Sequence, residues 1–118
     1  MTRRTDRVGD LLRTEISEIL LREMSDPRIR LSTVSEVDVS PDLRHALVRV
    51  SVLGEESHRN ESIDALRKAG GFIRMRLAKK LKHLRVIPDF SFELDRGPEH
   101  SQRINDLLEE QDDHDTTA

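Results

Sequence analysis

Apolar residues recur at the helical period in some stretches of this chain and at the strand period in others. Over residues 5–24, Val8, Leu11, Leu12, Ile16, Ile19 and Leu20 fall largely on one face, which predicts an amphipathic helix. Asp26-Pro27 ends it, because the residue before a proline is driven out of the α region. A strand follows at 31–39, with Val37 and Val39 on one side and Glu36 and Asp38 on the other. Ser40-Pro41-Asp42 reads as a turn. Next, Ala46, Val48, Val50 and Val52 alternate with Leu47, Arg49, Ser51 and Leu53, the signature of a half-buried antiparallel strand. After a polar loop at 54–60, helices are predicted at 61–69 and 72–83. The second is marked by Ile73, Leu77, Leu81 and Leu84. A last strand at 85–95 puts Phe90, Phe92 and Leu94 on one face, with Pro88 near its start where a missing N–H is tolerated. Ile104, Leu107 and Leu108 suggest a short C-terminal helix.

The order helix, strand, strand, helix, helix, strand predicts an α+β fold. A single three-stranded sheet with helices on one face buries every apolar face named above. The other sheet face, with Arg49, Ser51, Ser91 and Glu93, stays in water. A length of 118 residues suits one compact domain, here residues 1–110. The remaining stretch, 111–118, is a polar, acidic tail expected to be disordered. With no cysteine, disulfide scaffolds and thiolate metal sites drop out. No apolar run approaches the ~20 residues a membrane helix needs, and the N-terminus lacks the apolar core of a signal peptide. A soluble intracellular protein is the expectation.

Charge changes the picture. The formal net charge of −3 averages two opposed blocks. Residues 59–87 hold nine Lys and Arg against two Asp and Glu, a balance of +7; residues 88–118 hold two against ten, a balance of −8. On the second of the paired helices, Arg76, Lys79, Lys82 and His83 lie opposite the apolar stripe, with Arg74 and Lys80 on the flanks. Surface helices ordinarily intersperse signs at i and i+4, so this nearly uncompensated face fits phosphate. Arg74 and Arg76 would act as fork donors, and Lys79, Lys80 and Lys82 as point charges. Between the two helices stands Ala69-Gly70-Gly71. A glycine pair after a helix commonly caps it. It also leaves backbone N–H groups open at the start of the next helix, where phosphate is bound readily. Arg3, Arg4 and Arg7 add an N-terminal basic arm. Only three phenylalanines supply aromatic rings, with no Trp or Tyr. Phe90 and Phe92 alternate like core residues, so a strand-borne base-stacking platform is not expected, and recognition should rest on backbone and shape.

The αββααβ order resembles a K-homology (KH) RNA-binding domain of the second, prokaryotic type. Its usual G-x-x-G loop is replaced by the helix–kink–helix of Ala69-Gly70-Gly71. Asp26-Pro27-Arg28-Ile29, Val39-Ser40-Pro41-Asp42-Leu43 followed by Ala46 and Val48, and Pro88-x-Phe90-x-Phe92 with Asp95 extend the likeness. Together they resemble the ribosome-binding factor A family over residues 3 to about 108. The resemblance implies a cytoplasmic, monomeric, non-enzymatic factor without a cofactor. Its partner would be the free small (30S) ribosomal subunit, whose 16S ribosomal RNA it helps process and mature late in assembly, with a link to growth in the cold. Its RNA contacts would be Ala69, Gly70, Gly71, Arg74, Arg76, Lys79, Lys80, Lys82 and Arg85, with Arg3, Arg4 and Arg7.

Enzyme readings find little support. The five histidines show no metal-ligand spacing, and no nucleophile elbow, P-loop or dinucleotide fingerprint is present. Two alternatives stand beside the ribosomal reading: a KH-like module for another structured RNA, and a protein-interaction adaptor using the open sheet face or the acidic tail. Residues 111–118 contain no apolar residue except Ala118. Their deletion is expected to leave the melting temperature unchanged within error in a circular dichroism melt; a drop of several degrees would mean that the tail packs.

Overall fold

The computed structural model describes residues 3–29 and 31–97. The expected C-terminal helix and the acidic tail lie outside the described residues. The elements are α1 (Arg3–Arg22), β1 (Ser32–Val39), β2 (His45–Val52), α2 (Glu56–Lys68), α3 (Gly70–Lys80) and β3 (Asp89–Leu94), in the order expected from the sequence. β2 is central: β1 pairs with it antiparallel and β3 parallel. The α2–α3 pair is the crossover that a parallel neighbour requires.

Alternation along β2 sends Ala46, Val48, Val50 and Val52 into the core, each at most 5% exposed. Leu12, Ile16 and Ile19 from α1, Ile63 and Leu66 from α2, and Ile73 and Leu77 from α3 meet them there. In β1 the register shifts between Val34 and Glu36. The extra residue of this bulge lets Val34, Val37 and Val39 all face inward, which strict alternation would forbid. The bulged Ser35 donates its hydroxyl to Asp95 (2.6 Å) and to the Arg49 carbonyl (3.2 Å), tying β1 to the end of β3. The turn after α1 is pinned likewise. Asp26 accepts from the Arg28 backbone N–H at 2.9 Å, Ile29 is buried, and the fully buried Ser62 of α2 donates to the Arg28 carbonyl at 2.5 Å.

Several boundaries differ from those predicted. α2 begins at Glu56, five residues ahead of the expected 61. That stretch is polar throughout, so it shows no periodicity, but Glu56 sits favourably at the positive end of a helix and binds Arg96 by two hydrogen bonds of 2.8 and 2.5 Å. Gly70 and Gly71 do not form the break: they are the first turn of α3, and the hinge is the single residue Ala69 at φ −85°, ψ 0°. α3 ends at Lys80 rather than 83, since Leu81 leaves the helical region (φ −113°, ψ 58°). β3 begins at Asp89 rather than 85. The intervening loop is fixed by Leu81, Ile87 and Pro88, all buried.

One glycine is indispensable for packing. A Cβ on Gly9 of α1 would lie 2.6 Å from the Val37 carbonyl oxygen of β1, so helix and strand touch backbone to backbone. Gly71 has no atom within 4 Å of such a Cβ and no positive φ. Gly9→Ala is expected to cost about 1–3 kcal/mol by forcing the elements apart. Gly71→Ala is expected to leave stability unchanged or raise it by up to about 1 kcal/mol. Urea unfolding of both variants checks the contrast, and equal effects would contradict it.

Candidate RNA-binding surface

The cations predicted to form one basic face divide into two sets. Arg76 donates to Glu23, just past the end of α1, at 2.5 Å, and Lys80 reaches the other oxygen of the same carboxylate at 3.2 Å. Glu23 is only 22% exposed. The hydrogen bond from Arg76, with Lys80 adding to it, holds its carboxyl below the ordinary value although partial burial works the other way. These two cations therefore clamp α3 to α1. Arg74 donates to the Ile87 carbonyl at 3.2 and 3.3 Å and stands 3.5 Å from Asp89, bracing the loop before β3. The sequence placed Arg76 on the outer face and Arg74 and Lys80 on its flanks. It could not show that α1 ends beside α3 and brings Glu23 with it.

Lys79, Lys82 and Arg85 are exposed and have no ion pair among the described residues. Lys82 and Arg85 join Gly71, Arg74, Met75 and Val86 around an open groove of about 660 Å³ between α3 and the following loop. At its upper end the α3 N-terminus carries no side-chain cap, but the Ala69 N–H is held by the Ala65 and Leu66 carbonyls at 3.0 and 3.1 Å, so the last turn of α2 takes up a donor that the sequence left open for phosphate. Arg4 meets Arg85 and His83 in an adjoining cleft, where the start of α1 approaches the same loop. Arg7 is exposed on α1; the Arg3 side chain lies outside what the structure describes. The structure thus brings Gly71, Arg74, Lys82, Arg85 and Arg4 to one side, and sets Arg76 and Lys80 apart against α1.

Sequence reasoning missed the apolar part of this surface. Phe72 (39% exposed), Met75 (42%) and Val86 (52%) show apolar area to solvent. Phe72 and Met75 are neighbours at i and i+3 on α3. The available signal was that both fall off the Ile73–Leu77–Leu81 stripe. The expectation for the other rings is met: Phe92 is buried and Phe90 packs against the core.

The open sheet face has the opposite character. Arg49 at its centre lies 2.9 Å from Asp38, 3.1 Å from Glu36 and 3.6 Å from Glu93. Burial opposes its charge, but the three carboxylates outweigh that and raise its pKa. One guanidinium among three carboxylates leaves this face acidic, which repels a polyanion.

A model of the ribosome-binding factor A family matches residues 4–108. The chain belongs to this family. The ribosome-binding factor A of Halothermothrix orenii is 48% identical over 105 residues, covering 89% of this chain and 85% of that protein. A crystal structure of ribosome-binding factor A from Thermus thermophilus superposes with a TM-score of 0.67 at 26% identity, over 76% of this chain and 94% of that one. A homology model of the Thermus thermophilus factor, fitted into a cryo-electron-microscopy map of a complex of that factor with the 30S subunit, matches with a TM-score of 0.63 at 27% identity, covering 75% and 92%. The family's KH-like α+β fold is the arrangement described above, and among the described residues no helix is long and apolar enough to cross a membrane.

The Glu23 clamp has a pH signature. A carboxyl whose pKa is lowered on folding contributes stability above its unfolded value and loses it as pH falls through the folded one. Glu23→Gln is therefore expected to lower the urea midpoint at pH 7. The gap from the wild type should begin to close near the ordinary carboxyl value of 4.5 and vanish in more acid solution. Urea titrations from pH 7 to pH 3 check this; a gap independent of pH would assign the loss to packing.

Proposed function

We propose that this protein is a ribosome assembly factor. It binds the free small ribosomal subunit through RNA backbone contacts at Lys79, Lys82 and Arg85, with the kink at Ala69, Gly70 and Gly71 and the basic start of α1 (Arg3, Arg4, Arg7) beside them. Arg74, Arg76 and Lys80 hold the surface in shape and add to its positive field. The factor acts without catalysis, as a cytoplasmic monomer, in late maturation and processing of 16S ribosomal RNA. The observation that carries this reading is the asymmetry of charge. Lys82 and Arg85, unpaired among the described residues, line the groove between α3 and the following loop, with Lys79 exposed on the same helix, while the open sheet face is acidic. Membership of the family supports the subunit as partner, as does the fit of the Thermus thermophilus homology model into its 30S complex.

Phosphate contacts release counterions, so each one adds about 0.7–0.9 to the slope of log affinity against log salt. Lys79→Ala/Lys82→Ala/Arg85→Ala removes three exposed cations that pair with nothing among the described residues, and exposed changes of this kind usually stay within about 0.5 kcal/mol of wild-type stability. The triple variant is expected to melt normally, to bind purified small subunits more weakly, and to lose about two to three units of slope in a salt titration. Unchanged affinity and slope would refute the assignment. Sedimentation discriminates the partner: the factor should travel with free small subunits and not with translating ribosomes. Binding to unrelated structured RNA with equal affinity would favour a general KH-like module.

A further inference from the structure

Beside the groove lies a second cleft of about 370 Å³. The start of α1 (Arg4, Val8), the β1–β2 turn (Asp42, Leu43) and the loop before β3 (Arg85, Val86) enclose it. Its walls are fixed: the Asp89 N–H donates to the Arg44 carbonyl at 2.9 Å, which holds the turn against the loop. Three independent features mark it as more than a crevice.

The first is backbone strain. Leu43 has φ +62°, the only non-glycine positive φ among the described residues. Its conformation is closed by its own N–H donating to the Ser40 carbonyl at 2.9 Å. Asn or Gly would adopt this conformation at lower cost, yet a leucine stands here, lining the cleft and packed against the core. Strain of this kind concentrates at binding sites. The second feature is an unused acceptor. Asp42 takes the Ser40 hydroxyl (2.6 Å) and the Arg44 N–H (3.0 Å) on Oδ1, and Oδ2 accepts nothing among the described residues. The third is charge placed against local preference. Arg4, which lines the cleft, occupies the first turn of α1, where the helix dipole disfavours a cation and where a bound anion would reverse that penalty.

We propose that this cleft seats one unpaired nucleotide of RNA, with its base on Leu43, Val8 and Val86, its phosphate between Arg4 and Arg85, and its exocyclic amino group donating to Asp42. An apolar bed with a few converging polar groups is how single-stranded bases are read, and a carboxylate accepts from an amino group such as cytosine N4. Uracil, which has no exocyclic amine, is disfavoured. The site gives base preference to a surface that otherwise senses only backbone, and so rests on the RNA-binding reading above.

The test uses the full chain with methyl-labelled Val and Leu, titrated with the single-stranded octanucleotides r(C)8 and r(U)8. Expected are shifts of the Val8, Leu43 and Val86 methyl signals, and five- to tenfold tighter binding of r(C)8 than of r(U)8 by fluorescence anisotropy. In Asp42→Asn the Oδ1 contacts can persist while an N–H donor replaces Oδ2, so the preference should fall away or invert toward uracil, whose O4 accepts. Arg4→Ala should weaken both oligonucleotides alike. Equal affinity for the two in the wild type, a preference unmoved by Asp42→Asn, or silent Val8, Leu43 and Val86 methyl signals would each overturn the proposal. If small subunits still bind with the salt dependence described above while these signals stay silent, the nucleotide site alone fails and the ribosomal reading stands.

Discussion

Strand β2 is the constraint on which everything else depends. It is hydrogen-bonded on both sides, antiparallel to β1 and parallel to β3, and its four inward side chains belong to the one core that all three helices share. Parallel pairing with β3 cannot be made by a tight turn, so the chain must leave the sheet, cross its face and return. The α2–α3 pair is that excursion. Its hinge and its basic residues all occur on the path the crossover must take. The candidate binding surface is thus a consequence of strand order before it is a matter of particular lysines.

Close packing then decides which charges are available. Because Gly9 lets α1 lie against the β1 backbone, the far end of α1 reaches α3 and delivers Glu23 to Arg76 and Lys80. The same pattern holds on the sheet, where Arg49 is shared among Asp38, Glu36 and Glu93. Carboxylates within the fold neutralise the cations that brace it, and of the cations left over, Lys82, Arg85 and Arg4 line one groove and its neighbouring cleft. In the proposed function, the affinity for RNA comes from this remainder, not from the total of basic residues.

The sequence by itself determined the order of the elements, the inward faces of β2, α1 and α3, and the basic character of the second half of the crossover. These follow from periodicity and composition, which are local. It also carried the family resemblance, through short motifs such as Asp26-Pro27-Arg28-Ile29 and Ala69-Gly70-Gly71. The start of α2 was not legible, because Glu56 to Asn60 is polar throughout and is held as helix partly by a contact with Arg96, forty positions away. The place of the glycine pair was misjudged for a related reason: low helix propensity argues against an interior, and says little about a first turn.

Only the tertiary structure decided which cations are engaged and which are free. Arg76 and Lys79 look alike along a helix, and their difference is that Glu23, more than fifty positions earlier, lies beside one of them. Tertiary structure alone also assembled the cleft of Arg4, Asp42, Leu43 and Arg85, whose members come from three separate segments, and gave Leu43 its positive φ. Hydrophobic period is written in neighbouring residues and survives without a fold. Charge pairing and cavity shape depend on residues distant in sequence being brought within a few ångströms, and that distance exists only once the chain has folded.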